Sequence, residues 1–154
     1  VSDLADIPEQ YGVSNVYAEL GTTFGSCAIT HPRLAAALMG VLIRGMGEDH
    51  IIWGTASFWY GSPQWQIEAM RRIEIPEDMR KAHGFAELGA ADGAVKSAIF
   101  AGNATQVYGL EDLARPDAAW KTDALSKVKA EYIAGGATPS NNFYGFIAEA
   151  GGQG

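Results

Sequence analysis

Between Asn15 and Thr55 the chain reads as strand, long amphipathic helix, strand, and no other stretch limits its fold as tightly. Asn15 to Leu20 (NVYAEL) sets Val16, Ala18 and Leu20 against Tyr17 and Glu19, the period of two that a strand needs. His50 to Thr55 (HIIWGT) holds the unbroken apolar run Ile51-Ile52-Trp53. An unbroken run marks a strand covered on both faces, as in a parallel sheet beneath helices. Between them, from about Pro32 to Met46, Leu34, Leu38, Val41 and Leu42 recur at helical spacing and predict one buried face. Thr30 and Pro32 suit the start of this helix and Gly47 its end. The order predicts a right-handed βαβ unit with parallel strands.

The flanking segments predict further helices. Ser2 to Gln10 reads as the end of a helix, closed by Tyr11-Gly12, and Gly21 to Thr30 as a loop. Ala56 to Ser62 is a second loop carrying Phe58, Trp59 and Tyr60. Ser62-Pro63 opens a helix running through Ile73. Pro76 starts a short one, with Glu77 and Asp78 in its first turn, Arg80, Lys81 and His83 in its last, and Gly84 as its stop. Gly93 to Tyr108 is helical with a break near Gly102, and Lys121 to Ile133 forms a polar final helix. The division expected is a main body over 1–134 and a Gly/Ala-rich tail over 135–154, mobile except where Phe143, Tyr144 and Phe146 dock. No internal repeat is present.

At 154 residues the chain is one ordinary domain, short of the ~250 residues of a closed eight-stranded α/β barrel. A net charge of −7 argues against a nucleic-acid partner and against anionic membranes, and no apolar run reaches the ~20 residues of a membrane helix. The single cysteine, Cys27, excludes an internal disulfide and a cysteine-based zinc site, and fits a reducing, cytoplasmic setting. Val1 opens directly on a helix-like segment, which reads as a cut through a longer chain.

Three blocks carry a family likeness: NVYAELGTTFGS at 15–26, DHIIWGTASFWYGSPQWQIEAMRRIEIP at 49–76 and IFAGNATQVYGL at 99–110. Together they resemble the ACMSD-like, or "amidohydrolase 2", group of metal-dependent amidohydrolases, and the middle block is the specific one. The resemblance implies the C-terminal portion of a (β/α)8 TIM barrel, with about two parallel strands, numbers seven and eight, plus several helices. It implies a hydrolase or decarboxylase acting on a small, aromatic or carboxylated molecule through one divalent, zinc-type metal. The family's ligands are a His-x-His on strand one, a His on strand five and an Asp ending strand eight. Imidazoles and a carboxylate hold such an ion, which acidifies a bound water and polarises the substrate.

The departures decide what this copy can do. The family's Gly-Thr-Asp-Ser is here Gly54-Thr55-Ala56-Ser57, so Ala56 stands where the ligand Asp belongs and offers no donor atom. The histidine-bearing strands are absent, and His31, His50 and His83 form no ligand pair and read as surface or capping residues. The expectation is therefore no metal on this chain alone. Glu19, near the end of strand seven, is the remaining catalytic candidate, a base or substrate contact; the alternative is a carboxylate paired with a basic neighbour. Thr22, Ser57, Trp59 and Tyr60 are substrate-pocket candidates, with Trp65 as a further aromatic wall. The loop Thr22 to Ser26 has the composition of a phosphate cradle, against the plainer reading of a βα connection. Asn103-Ala104-Thr105 matches the glycosylation triplet but falls in an expected helix. Two functions stay open: part of a metal-dependent enzyme, or a degenerate barrel fragment serving as an interaction or structural module. A two-strand slice would leave open strand edges and one uncovered face on Ile51-Ile52-Trp53, so self-association or a partner completing the barrel is expected.

Overall fold

The computed structural model describes residues 1–60, 62–115 and 122–136, without the side chains of Phe58 and Tyr60. It divides into two compact units, 1–104 and 105–154. The expected docking of Phe143, Tyr144 and Phe146 lies outside the described residues.

The first unit is helical around one parallel strand pair. Helices α1 (Ser2–Ala5) and α2 (Ile7–Tyr11) lead to strand β1 (Ala18–Glu19), followed by α3 (Gly21–Cys27) and the long α4 (Pro32–Met46). A 3-10 turn (Glu48–His50) enters strand β2 (Ile51–Ile52). Then come α5 (Ser57–Tyr60), α6 (Gln64–Arg72), α7 (Glu77–His83) and α8 (Ala94–Ser97). A π-helical turn (Ala98–Gly102) joins α8 to α9 (Asn103–Val107), which crosses into the second unit. β1 and β2 run parallel, Ala18 beside Ile51 and Glu19 beside Ile52, and Leu20 N–H adds a bond to Ile52 O at 3.1 Å. The parallel βαβ unit is thus present, with strands shorter than expected. His50 belongs to the 3-10 turn rather than to the strand.

Two details of α4 and its approach differ from the sequence reading. Gly21 to Cys27, expected as part of a loop reaching Thr30, is helix, because Leu20, Phe24, Cys27 and Ala28 fall at helical spacing and all are buried; residues 28–30 are a turn. That apolar stripe outweighs the poor helix propensity of Gly and Thr. On α4 the buried stripe is Ala35, Leu38, Met39, Leu42 and Met46, while Leu34 is 58% exposed. The small residues set the packing distance. A Cβ at Gly40 would come within 2.4 Å of the Phe85 ring, and one at Gly45 within 2.4 Å of Ala5 O, so both glycines admit close neighbours.

The α8–α9 segment of the first unit packs against β2. Ile51 is 0% and Ile52 7% exposed, so the uncovered strand face expected of a barrel slice is absent at these two residues. Ile99 is fully buried in the same core, and Trp53 stacks at a tilt on Phe100, centroids 4.6 Å apart. The π turn explains part of this packing. Asn103 N–H, which in a regular α-helix would reach Ile99 O, instead reaches Ala98 O. Ile99 O accepts from Trp53 N–H at 3.0 Å, which extends the hydrogen bonding of β2 to the helix. β1 pairs with β2 alone among the described residues.

Two buried polar side chains tie elements of the first unit together: Asn103 holds α9 to the entry of β2, and Lys96 holds α8 to the end of α6. Asn103 Nδ2 donates to Glu48 O and Ile51 O, both at 2.7 Å. Lys96 is 1% exposed, and its Nζ donates to Arg71 O at 2.9 Å and Ile73 O at 2.8 Å, where α6 ends.

The second unit holds α10 (Glu111–Ala114) and α11 (Ala124–Ala134). Asp123 caps α11 by accepting from Ser126 N–H at 2.8 Å. No helix among the described residues is long and apolar enough to cross a membrane.

Candidate functional site at the strand ends

Parallel pairing sends the C-terminal ends of β1 and β2 to one side, and the residues following them gather there. Glu19 ends β1, and Gly54, Thr55, Ala56 and Ser57 follow β2. The Glu19 carboxylate lies between two glycines. A Cβ at Gly54 would fall 1.2 Å from Glu19 Oε1, and one at Gly21 would fall 2.6 Å from Oε2. Glu19 is exposed, and none of the ion pairs among the described residues involves it. The paired-carboxylate alternative therefore finds no support there. Gly54 is required by space: only a residue without a Cβ leaves room for the Glu19 side chain in this position.

That requirement has a measurable consequence. Gly54→Ala should displace the Glu19 carboxylate at a stability cost of about 1 kcal/mol or less, because the clash is with the free end of an exposed side chain. In a Glu19→Ala background the same substitution should be neutral or nearly so. Denaturant unfolding of the four proteins in a double-mutant cycle measures the coupling. An equal cost of Gly54→Ala in both backgrounds would show that Glu19 does not occupy this place.

Ala56 holds a left-handed conformation, φ 44, the one positive φ outside glycine among the described residues. A side chain with a Cβ is strained in this region, and Asn and Asp tolerate it best of the non-glycine residues. The turn holds it there. Thr55 Oγ1 accepts from Ser57 N–H at 3.2 Å, and Ala56 O accepts from Trp59 N–H at 2.9 Å, which starts α5.

The pocket candidates separate. Ser57 adjoins Ala56 and is half-buried, while Thr22 is exposed in the first turn of α3, next to the Gly21 that bounds Glu19. Trp59 is 79% exposed. The Tyr60 side chain lies outside the described residues. Trp65 is half-buried, with its indole Nε1 enclosed and unpaired. The segment Thr22 to Ser26, expected as a loop, lies in α3. From Phe24 onward its amides are spent inside the helix, Phe24 N–H on Leu20 O and Ala28 N–H on Phe24 O. Two surface clefts, ≈ 280 Å³ beside Cys27 and Leu34 and ≈ 260 Å³ beside Arg80 and Glu87, include none of Glu19, Ala56, Ser57 or Trp59.

Gln66 escaped the sequence reading. It is fully buried with both amide atoms unpaired, and a Cβ at Gly25 would lie 3.1 Å from its Oε1. Its spacing with Met70 and Ile73 on one buried helix face was the available signal. Gly25 follows Gly21 by one helical turn, so the face of α3 that bounds Glu19 also bounds Gln66.

No group of three or more His, Cys, Asp or Glu side chains among the described residues could hold a metal. His31 Nδ1 meets Thr30 Oγ1 at 2.9 Å, and the His83 ring lies 5.3 Å from that of Phe85. His50 is bound at the opposite end of β2 from Ala56, its Nδ1 3.0 Å from Asp49 Oδ1. Burial pushes the Cys27 thiol above its usual range against a smaller opposing backbone hydrogen bond, which disfavours the reactive thiolate. The Asn103 amide, the atom glycosylation would modify, is buried and bound to two carbonyls, so the folded chain cannot take a glycan there. In comparisons with known proteins the chain matches no family model, no curated protein and no solved structure.

Proposed function

We propose that the chain is the C-terminal segment of an amidohydrolase-like, metal-dependent barrel that has lost its own strand-end ligand. On this reading β1 and β2 are strands seven and eight and α4 is the crossover between them. The complete enzyme would be a hydrolase or decarboxylase of a small, aromatic or carboxylated molecule, with its zinc-type metal held mainly by residues outside this chain. Within it Glu19 would act as a base or substrate contact, beside Thr22, Ser57 and the aromatic residues of the following turn.

The observation that carries the reading is Ala56. It follows β2 at its C-terminal end, on the side where α/β barrels keep their sites, in a left-handed conformation that suits Asp better than Ala. The same observation favours a non-catalytic role for the chain as it stands, since alanine cannot ligate. The edge of β1 that has no strand beside it among the described residues suits a partner or a further strand completing the barrel.

The test is restoration. In the protein encoded by the complete reading frame, a His-x-His motif should precede these residues. There Ala56→Asp should raise zinc or manganese to about one per chain, read by elemental analysis, and raise hydrolase or decarboxylase activity at least tenfold. A complete frame without His-x-His, or an Ala56→Asp protein that gains neither metal nor activity, sinks the proposal.

A further inference from the structure

We propose that His50 is a pH-operated latch that fastens the segment entering β1 to the turn entering β2 when its imidazole is protonated. Both ring nitrogens meet groups that can only accept. Nδ1 stands 3.0 Å from Asp49 Oδ1, and Nε2 stands 2.9 Å from the Ser14 carbonyl oxygen. A neutral imidazole has one N–H and satisfies one of the two; the imidazolium has two and satisfies both. The Tyr17 ring stacks on the imidazole, centroids 4.8 Å and planes 19° apart, and an aromatic face favours a cation over a neutral ring.

The latch spans two points of the chain that meet here. Ser14 and Tyr17 belong to the segment before β1, and Asp49 and His50 to the 3-10 turn before β2. Tyr17 precedes Ala18, the first residue of β1, and Glu19 follows directly. Loss of the Ser14 bond therefore loosens the segment entering β1, five residues before Glu19.

The charged surroundings leave Asp49 as the group that sets the titration. The 3-10 turn contributes Glu48 and Asp49, and only Asp49 bonds the ring. Arg44 in the last turn of α4 is engaged elsewhere, donating to His83 O at 3.0 Å and lying over the Phe85 ring. The π turn packed on the 3-10 turn carries no titratable side chain, and β2 carries none. The Asp49 hydrogen bond holds the His50 pKa above its usual value, against a smaller opposing effect of burial. A histidine whose folded pKa is raised stabilises the fold fully below its unfolded value of ~6.5, and this is lost as pH rises through the folded value. The latch is thus closed on the acid side and opens toward alkaline pH.

The test combines NMR titration of the His50 ring with hydrogen exchange of residues 12–19, corrected for the intrinsic pH dependence of exchange. In the wild-type chain, His50 should titrate above ~6.5, and protection of 12–19 should fall severalfold with the same midpoint. Asp49→Asn should move both midpoints down together. Asp49 is an exposed residue, so this variant should keep its fold. In His50→Gln, protection of 12–19 should no longer depend on pH. A His50 pKa at or below ~6.5, or protection of 12–19 that ignores the titration, overturns the proposal.

Discussion

Asn103→Ala should destabilise the first unit by about 2–4 kcal/mol, a large share of what a domain this size possesses. The amide is buried at 4% exposure and donates two hydrogen bonds of 2.7 Å, to Glu48 O and Ile51 O. The bond to the part-buried Glu48 carbonyl is worth ~1 kcal/mol net, and leaving the buried Ile51 carbonyl without a partner costs ~1–3 kcal/mol. The two carbonyls bracket the entry to β2, so the loss falls on the junction of the 3-10 turn, the strand and the α8–α9 helix. Asn103→Asp should be at least as harmful, because it removes the donor and sets a carboxylate against two carbonyl oxygens. Chemical denaturation of both variants is the measurement. Stability within 0.5 kcal/mol of the wild type (a typical surface effect, about that size) would mean that the clamp carries no stability.

Lys96 should behave differently in its two informative variants. Lys96→Ala removes a buried four-carbon stem and both bonds to the end of α6, and should cost about 2–4 kcal/mol. Lys96→Met keeps most of the stem and removes the cost of burying an ammonium, so it should cost about 1 kcal/mol or less. The two proteins should also differ from the wild type in pH dependence. Burial holds the Lys96 pKa below its usual value; Glu74 opposes the shift and Arg71 adds to it. The folded chain therefore binds this proton less tightly than the unfolded chain. Between the folded pKa and the unfolded value of ~10.4 the unfolded state carries more protons, so the Lys96 contribution to stability rises with pH. Relative to Lys96→Met, the wild type should gain stability as pH is raised from about 7 toward 10.4. A gap that narrows or reverses in the other direction would show that Nζ is better solvated than its position suggests.

The Asn103 clamp gives the segment Gly102-Asn103-Ala104 a physical role. Of these three residues, Asn103 is the one whose side chain reaches across to the entry of β2, while Gly102 is exposed. A motif of this kind reports packing rather than chemistry. Asn103 holds the start of α9 to the base of β2, opposite the end where Glu19 and Ala56 lie.

Local patterning was enough to identify the parallel βαβ unit, the helix over Pro32–Met46, the short helix after Pro76 with its Gly84 stop, and the interruption in the helix after Gly93. Each follows from period, caps or an unbroken apolar run, and those act within a few residues of chain. Contacts between distant segments decided the rest. Gly21 to Cys27 is helical because Phe24 and Cys27 find a core to enter, which propensity cannot show. Leu34 faces outward because α4 is oriented by Ala35, Met39 and Leu42, whose small and flexible side chains fit the core. His50 read as a surface histidine, yet its two acceptors come from Asp49 beside it and from Ser14, 36 residues away. Glu19 gains its seat from Gly54, and Lys96 its carbonyls from the end of α6, across separations that no local pattern encodes. Hydrogen-bond partners and close approach are properties of the folded arrangement, so the site's geometry appears only once the chain has folded upon itself.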